Sequence, residues 1–308
     1  MNTKVFHQIK IAQSHWNIDA VIEGLRNSRE VTHKIRHQGN IRELPSRGAL
    51  INILNGLSAV LFPTHYGHSN LSDETIDYFV GNTLNTTLNL LIEQVRRGLL
   101  FATDQDDKSD TDLHQEAIRI TREFIAELPL IRGLLVSDLQ AAFHGDPAAT
   151  SVAEVLLCYP GTIAIIYYRL AHALYLLGTP FLARMISDIA HSLTGIDIHP
   201  GAEIGGSFFI DHGTGVVIGE TAIIGQHVRL YQAVTLGAKR FPTDENGVLI
   251  KGNARHPIVE DDVVIYAGAT VLGRVTIGRG STIGGNVWLT QSVLSGSNIS
   301  QAQMRNNQ

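Results

Sequence analysis

The sequence predicts an α+β chain in two parts, an α-helical domain over residues 1–194 and a β-solenoid over residues 195–300. Three observations carry this division. From Val259 an aliphatic residue returns every six positions, at Ile265, Val271, Ile277, Ile283 and Leu289, with Val, Ala or Ser four places after each. Ile198, Ile204 and Ile210 keep the same step, and after a slip of two it resumes at Ile218, Ile224, Leu230 and Leu236. Helices repeat at about 3.6 residues and strands at about 2, so a period of six fits neither alone. It fits a solenoid in which each hexad is a short strand and a corner, with its opening aliphatic facing a narrow interior. A β-sandwich would not hold a fixed period through so many units. The second observation is glycine: 18 of 29 lie from Gly195 onward, as tight corners with positive φ require. The third is the i, i+4, i+7 apolar spacing upstream, which is helical.

In chain order, Ser46 caps a helix whose apolar face carries Leu50, Leu54 and Leu61. Ser72 caps another, with Asp73 and Glu74 at its positive end and Leu84, Leu88, Leu91 and Val95 on its buried face. Asp104–Asp110 is a polar, acidic break. A helix with Leu113, Ile120, Phe124 and Leu128 follows, and Pro129 starts the next, which runs toward Phe143. Gly145-Asp146-Pro147 is a turn, and Pro160–Leu177 and Phe181–Leu193 are apolar helices leading into the repeat. The boundary falls at Thr194-Gly195. Two places break the hexad period: Asp211–Gly215, and Lys239–Arg255, which reads as a protruding loop. Breaks in a regular scaffold are where sites gather. The tail, residues 301–308, is polar and is expected to be disordered.

The chain has 308 residues, 44% hydrophobic and 17% charged, with a net charge of −5. That balance gives no reason to expect nucleic acid or an anionic membrane as partner. One cysteine, Cys158, allows no internal disulfide and points to a reducing compartment; its apolar setting, Val155–Tyr159, reads as core. No apolar run reaches the roughly 18 residues of a membrane span, and Met1–Asn17 has no signal-peptide core. A cytoplasmic protein is expected.

The repeat contains His199, His212, His227 and His256. Imidazole can move protons near neutral pH or bind a metal, and by residue type alone each is more often structural than catalytic. Asp197 precedes His212 by nearly one three-hexad coil, so that the carboxylate could meet the imidazole across adjacent turns. His212 and His256 stand at the two period breaks.

Asp-Ile-His-Pro-Gly-Ala-x-Ile-Gly (197–205), Ile-Asp-His-Gly-Thr-Gly-Val-Val-Ile-Gly-Glu-Thr-Ala (210–222), Val-Thr-Leu-Gly (234–237) and Arg-His-Pro (255–257), with Asp146-Pro147-Ala148 upstream, closely resemble the serine O-acetyltransferases over about residues 130–295. The resemblance implies an α-helical N-terminal domain followed by a left-handed parallel β-helix of hexapeptide repeats, assembled as trimers and often as hexamers. It implies transfer of acetyl from acetyl-CoA to the L-serine hydroxyl, the committed step toward cysteine, with feedback inhibition by L-cysteine and no metal. Carried over by motif, His212 is the general base and Asp197 its orienting carboxylate. Asp146 and Asp211 bind the serine ammonium, Arg255 its carboxylate, and His256 lies beside the substrate. Gly237, Ala267 and Gly268 border the pantetheine arm, a backbone N–H near Gly237 faces the oxyanion, and Lys239, Lys251 or Arg274 meet the phosphates. Two departures stand out. Loop 239–255 is longer than in the commonest enterobacterial type. The Gly-x-Pro-Ala segment and the isoleucine-ended tail are missing, so a complex with O-acetylserine sulfhydrylase by the usual C-terminal route is not expected. The alternatives are another hexapeptide-repeat O-acetyltransferase acting on a sugar or other small molecule, a trimeric metal-dependent lyase of the γ-carbonic anhydrase kind, and a non-catalytic scaffold.

Overall fold

A computed structural model of the chain describes residues 17–29, 36–37, 40–41, 43–68, 70–102, 109–240 and 243–301. The expectations for the N-terminal segment and for residues 302–308 fall outside the described residues, as does most of the polar break before Ser109. Helices α1 (Ile18–Arg29), α2 (Arg47–Leu61), α3 (Pro63–Tyr66), α4 (Ile76–Ala102), α5 (Asp110–Gly145), α6 (Val152–Cys158), α7 (Pro160–Leu176) and α8 (Pro180–Thr194) precede the repeat. A short antiparallel pair, Arg36–His37 with Asn40–Ile41, lies between α1 and α2. Among the described residues no helix is long and apolar enough to cross a membrane.

Local chemistry explains most of the boundaries. The Ser46 hydroxyl accepts from Ala49 N–H at 3.3 Å and starts α2, as expected. Ser72 does not cap a helix. Its carbonyl accepts from Thr75 and Ile76 in a turn, and α4 begins at Ile76 with Asp77, not Asp73 or Glu74, in its first turn. Ser109 forms a reciprocal capping box with Asp112 at the head of α5. Pro129 does not begin a helix; it lies inside the long helix α5. A proline there removes one backbone hydrogen bond. Phe124, Leu128, Ile131 and Leu135 continue one buried stripe on both sides of it, and that packing carries the helix through. Cys158 is exposed rather than core, because α6 turns Val155 and Leu156 inward and ends at the cysteine.

From Asp197 the chain winds as a left-handed parallel β-helix with three faces. Face I stacks strands Asp197–Ile198, Val217–Ile218, Thr235–Gly237, Thr270–Leu272 and Trp288–Leu289. Face II stacks Glu203–Ile204, Ile223–Ile224, Ile258–Val259 and Thr276–Ile277, and face III stacks Phe209–Ile210, Arg229–Leu230, Val264–Ile265, Thr282–Ile283 and Asn298–Ile299. The hexad-opening residues from Val259 to Leu289 are at most 2% exposed, so the period-six reading places the interior correctly. Register shows where coils differ in length. Val217 pairs with Thr235, a plain three-hexad step. Asp197 pairs with Val217, a step longer by two, because the corner after Ile210 holds two extra residues. Ile223 pairs with Ile258, so the loop before Pro257 inserts nearly the length of a whole further coil. The stack extends past Ser295: Ile283 pairs with Ile299, a coil shortened by two.

A single apolar core runs through helices and repeat. The two parts are joined by a buried ion pair. Arg169 on α7 donates to both oxygens of Asp138 on α5, at 2.6 and 2.9 Å. Arg169 also reaches the carbonyls of Ile204 and Gly205 at 3.3 and 2.8 Å, and Asp138 accepts from Phe208 N–H at 2.9 Å. Tyr168 O–H to the Ala202 carbonyl, 2.6 Å, and His172 Nδ1–H to the Pro200 carbonyl, 2.7 Å, repeat the tie one corner away. Removing one partner of such a pair leaves a bare buried charge. Asp138→Ala is therefore expected to cost about 3–5 kcal/mol, read as a lower urea midpoint.

Candidate active site

The two period breaks fall at the corners that flank face I. The corner from face III to face I carries Asp211–Gly215. Gly213 and Gly215 have φ of 88° and 79°, and a Cβ on Gly213 would lie 2.4 Å from Ile196 Cδ1, so the tight return needs glycine. His212 itself has φ of 56°, and its ring projects outward, 71% exposed. Asp211 Oδ1 stands 3.9 Å from His212 Nε2.

Asp146 arrives at this corner from the end of α5, where its N–H closes the helix on the Ala142 carbonyl. One carboxylate oxygen accepts from Tyr159 O–H at 2.5 Å and the other from Ala148 N–H at 2.8 Å. The Tyr159 bond, followed by the Ala148 bond, holds the Asp146 carboxyl below its ordinary range, and the fields of His212 and Arg229 add to the effect. Tyr159 is in turn pushed up to about 12, by Asp146 first and then by burial and the charges of Asp146, Glu154 and Asp211. Asp146, Asp211 and His212 are thus brought together, and Tyr159 joins them. The sequence reading missed it; its one signal was an aromatic wedged between two helices, before the proline that opens α7.

Asp197 opens the first strand of face I, bonded to the Val216 carbonyl at 2.9 Å. The coils of Asp197 and His212 touch, with Gly215 N–H donating to the Gly195 carbonyl at 2.8 Å. Among the described residues no hydrogen bond joins the two side chains, and the carboxylate within ion-pair range of His212 is Asp211.

The corner from face I to face II collects a second group: His199, Glu220, Thr221, Arg255, His256 and Arg274. Arg255 Nη2 donates to Glu220 Oε2 at 2.6 Å, and Tyr175 O–H reaches the other Glu220 oxygen at 3.4 Å. His256 is 7% exposed, and its ring fills the space where a Cβ on Gly219 would lie, 2.0 Å from Cδ2. Its Nδ1 accepts from Thr221 N–H at 3.0 Å, so the neutral ring carries its proton on Nε2. Burial, then Arg255 and Arg274, lowers the His256 pKa to about 4 against the opposing pull of Glu220. His199 behaves alike: Nδ1 accepts from Gly201 N–H at 3.0 Å, and burial, then Arg184, lowers it to about 4. His227 stands elsewhere, at the corner between faces II and III, 3.4 Å from Asp262.

Gly237 closes the third strand of face I, where a Cβ would lie 2.9 Å from Leu272 Cδ2. Ala267 and Gly268 occupy the His212 corner two coils on; Gly268 has φ of 72°, and a Cβ there would meet Asn286 Oδ1 at 2.2 Å. The loop rises beside the other corner as a small hairpin, with Thr243 bridged to Leu249 and a turn held by Asp244. It walls a cleft of about 750 Å³ lined by Lys239, Arg240, Lys251, Arg255 and Arg274, with Glu220 as its carboxylate. Arg274 is not free in this cleft: Nη1 donates to the carbonyls of Thr221 at 2.5 Å and His256 at 3.0 Å. Among the described residues no group of three His, Cys, Asp or Glu stands where it could hold a metal ion.

The repeat places the chain among the hexapeptide-repeat proteins: residues 256–291 match the family described as bacterial transferase hexapeptide (six repeats). The chain is 59% identical to the plasmid-encoded serine acetyltransferase of Synechococcus elongatus over 94% of its own length and 92% of that protein's. It is 52% identical to the Bacillus licheniformis serine acetyltransferase, over 49% of this chain and 66% of that one. Among solved structures, Entamoeba histolytica serine acetyltransferase 1 in complex with L-cysteine superposes with a TM-score of 0.70 at 38% identity, covering 81% of this chain and 86% of that one. Soybean serine acetyltransferase complexed with serine gives 0.52 at 28% identity, over 82% and 95%. The chain belongs to the serine acetyltransferase family.

The two depressed histidines make stability depend on pH. Their folded pKa values, about 4, lie below the ordinary 6.5, so between those values the unfolded chain binds protons that the folded chain refuses. Stability drains away as pH falls through that window. In His256→Gln the melting temperature is expected to fall less steeply between pH 6.5 and 4.5 than in the parent.

Proposed function

We propose that this protein transfers the acetyl group of acetyl-CoA to the hydroxyl of L-serine, giving O-acetylserine and CoA on the route to cysteine. A serine hydroxyl is too weak an acid to attack a thioester unaided. His212 takes its proton as the oxygen adds to the carbonyl carbon, a contribution of about 10²–10⁴-fold. Asp197, on the adjoining coil, orients His212 and supports the imidazolium. The tetrahedral oxyanion is met by a backbone N–H near Gly237. His212 then returns the proton to the departing CoA sulfur.

The observation that carries this reading is the sorting of charge between the two corners. Asp146 and Asp211 suit an ammonium and lie with the base. Arg255 and the neutral Nε2–H of His256 suit a carboxylate and lie across face I. The extended run across face I, from Val216 to Gly219, alone covers about 10 Å at about 3.3 Å per residue, more than serine spans. A second copy therefore supplies the missing half: in a threefold assembly the His212 corner of one chain meets the Arg255 corner of the next. Pantetheine would pass Gly237, Ala267 and Gly268, where small residues let it approach the backbone, and Lys239 and Lys251 would face the phosphates with Arg274 bracing the corner behind them. L-cysteine, a zwitterion one atom different from serine, would compete for the same groups and act as feedback inhibitor.

A thiol-release assay with acetyl-CoA and L-serine tests the reading. Turnover is expected in the parent chain. His212→Ala should lower kcat by about 10²–10⁴-fold and Asp197→Asn by a smaller factor. Turnover of a sugar hydroxyl but not of L-serine would overturn the assignment.

A further inference from the structure

We propose that Thr221 is a positioning residue that fixes the proton of His256 on Nε2 and holds Arg255 and His256 as one carboxylate-binding unit. A hydroxyl has one proton and two lone pairs. The Thr221 oxygen accepts from Arg255 N–H at 2.9 Å and from His256 N–H at 3.1 Å, which uses both lone pairs. Its remaining proton has a partner in His256 Nδ1, 2.9 Å away. Thr221 N–H donates to that same Nδ1 at 3.0 Å. Backbone N–H groups only donate, so Nδ1 is an acceptor whose single lone pair is shared by two donors, and a proton there would face both. One residue thus uses four hydrogen bonds to seat the backbone of both ligands and to choose a tautomer.

The rest of the pocket is shaped to match. Gly219 leaves room for the ring, and Arg274 clamps the assembly by donating to the carbonyls of both Thr221 and His256. Nε2 has no hydrogen-bond partner among the described residues, yet it is not one of the sealed, unsatisfied atoms. Some solvent reaches it, and the proposed unit gives this donor to a ligand. The charged groups bearing on the ring are Arg255, Glu220 and Arg274. Kept neutral, His256 binds an anion without competing with His212 for the proton in flight. The binding part of this inference rests on the reading of Arg255 and His256 as ligands of the serine carboxylate; the tautomer part does not.

The test compares the parent chain with Thr221→Val and Thr221→Ser. In long-range ¹H–¹⁵N spectra of the ligand-free protein, with the His256 signals assigned through His256→Gln, the parent is expected to show Nε2–H and no protonation above pH 5.5. In Thr221→Val the protonation midpoint should rise by about one unit, the scale of one hydrogen bond, while Thr221→Ser should match the parent. In turnover assays Thr221→Val should raise KM for L-serine about three- to tenfold, with kcat and KM for acetyl-CoA within twofold, and Thr221→Ser should restore it. An Nδ1–H ring in the parent, a parent-like titration in Thr221→Val, or a loss confined to kcat would each overturn the proposal. If the parent chain fails to acetylate serine, the family-based reading falls, and the spectra still decide the role of Thr221.

Discussion

Everything in this molecule depends on one aliphatic side chain per hexad pointing into the coil. A buried Val, Ile or Leu contributes about 1.5–3 kcal/mol, and the parallel strands between coils satisfy the backbone beside it. The ladder enforces register: an insertion inside a strand would turn its aliphatic residue out of the core, so extra residues collect at corners. Two such insertions occur, a short one after Ile210 and the long loop before Pro257, and they fall on either side of face I. Residues far apart in sequence, such as His199, Glu220, His256 and Arg274, become a column because each is the same corner of a different coil.

The helical half does more than cover the open end of the solenoid. The buried Arg169–Asp138 pair locks α5 and α7 to the first coil, and α5 ends at Gly145-Asp146 beside His212. The carboxylate of Asp146 is then fixed by Tyr159 and Ala148, so it reaches the corner already ionised and oriented. Packing in one domain thus sets the geometry of a charged group that works at the other.

Periodicity exposed the repeat and its two interruptions because a period of six has no helical or simple sheet equivalent. Ser46 was readable because a capping serine acts on the first turn that follows it. Pro129 misled because the local rule, proline at a helix start, lost to a buried stripe that continues past it. Ser72 misled in the same way, since a turn satisfied its neighbours before any helix began. Cys158 looked internal by its apolar neighbours, but a helix as short as α6 has room to bury only one side. At the site, the motifs singled out His212, Asp211, Asp146 and His256, but not the groups that set their state. Glu220, Thr221 and Tyr159 act through contacts between distant parts of the sequence, which exist only once the coils and helices are stacked. The expected partnership of Asp197 with His212 came from a spacing close to one regular coil. The two coils do touch, and Asp211, the sequence neighbour of His212, stands within ion-pair range of its ring.

The division of labour between the corners is an electrostatic one. One corner pairs an exposed imidazole with two carboxylates; the other pairs a guanidinium with imidazoles that stay neutral. A zwitterion needs both, and face I keeps them apart within one chain. Mixing His212→Ala and Arg255→Ala chains tests this directly, because each variant retains the half that the other lacks. Random threefold assembly is predicted to rebuild about a quarter of the sites, and activity should rise well above that of either variant alone. Activity no greater than the sum of the two separate variants would contradict a site shared between copies.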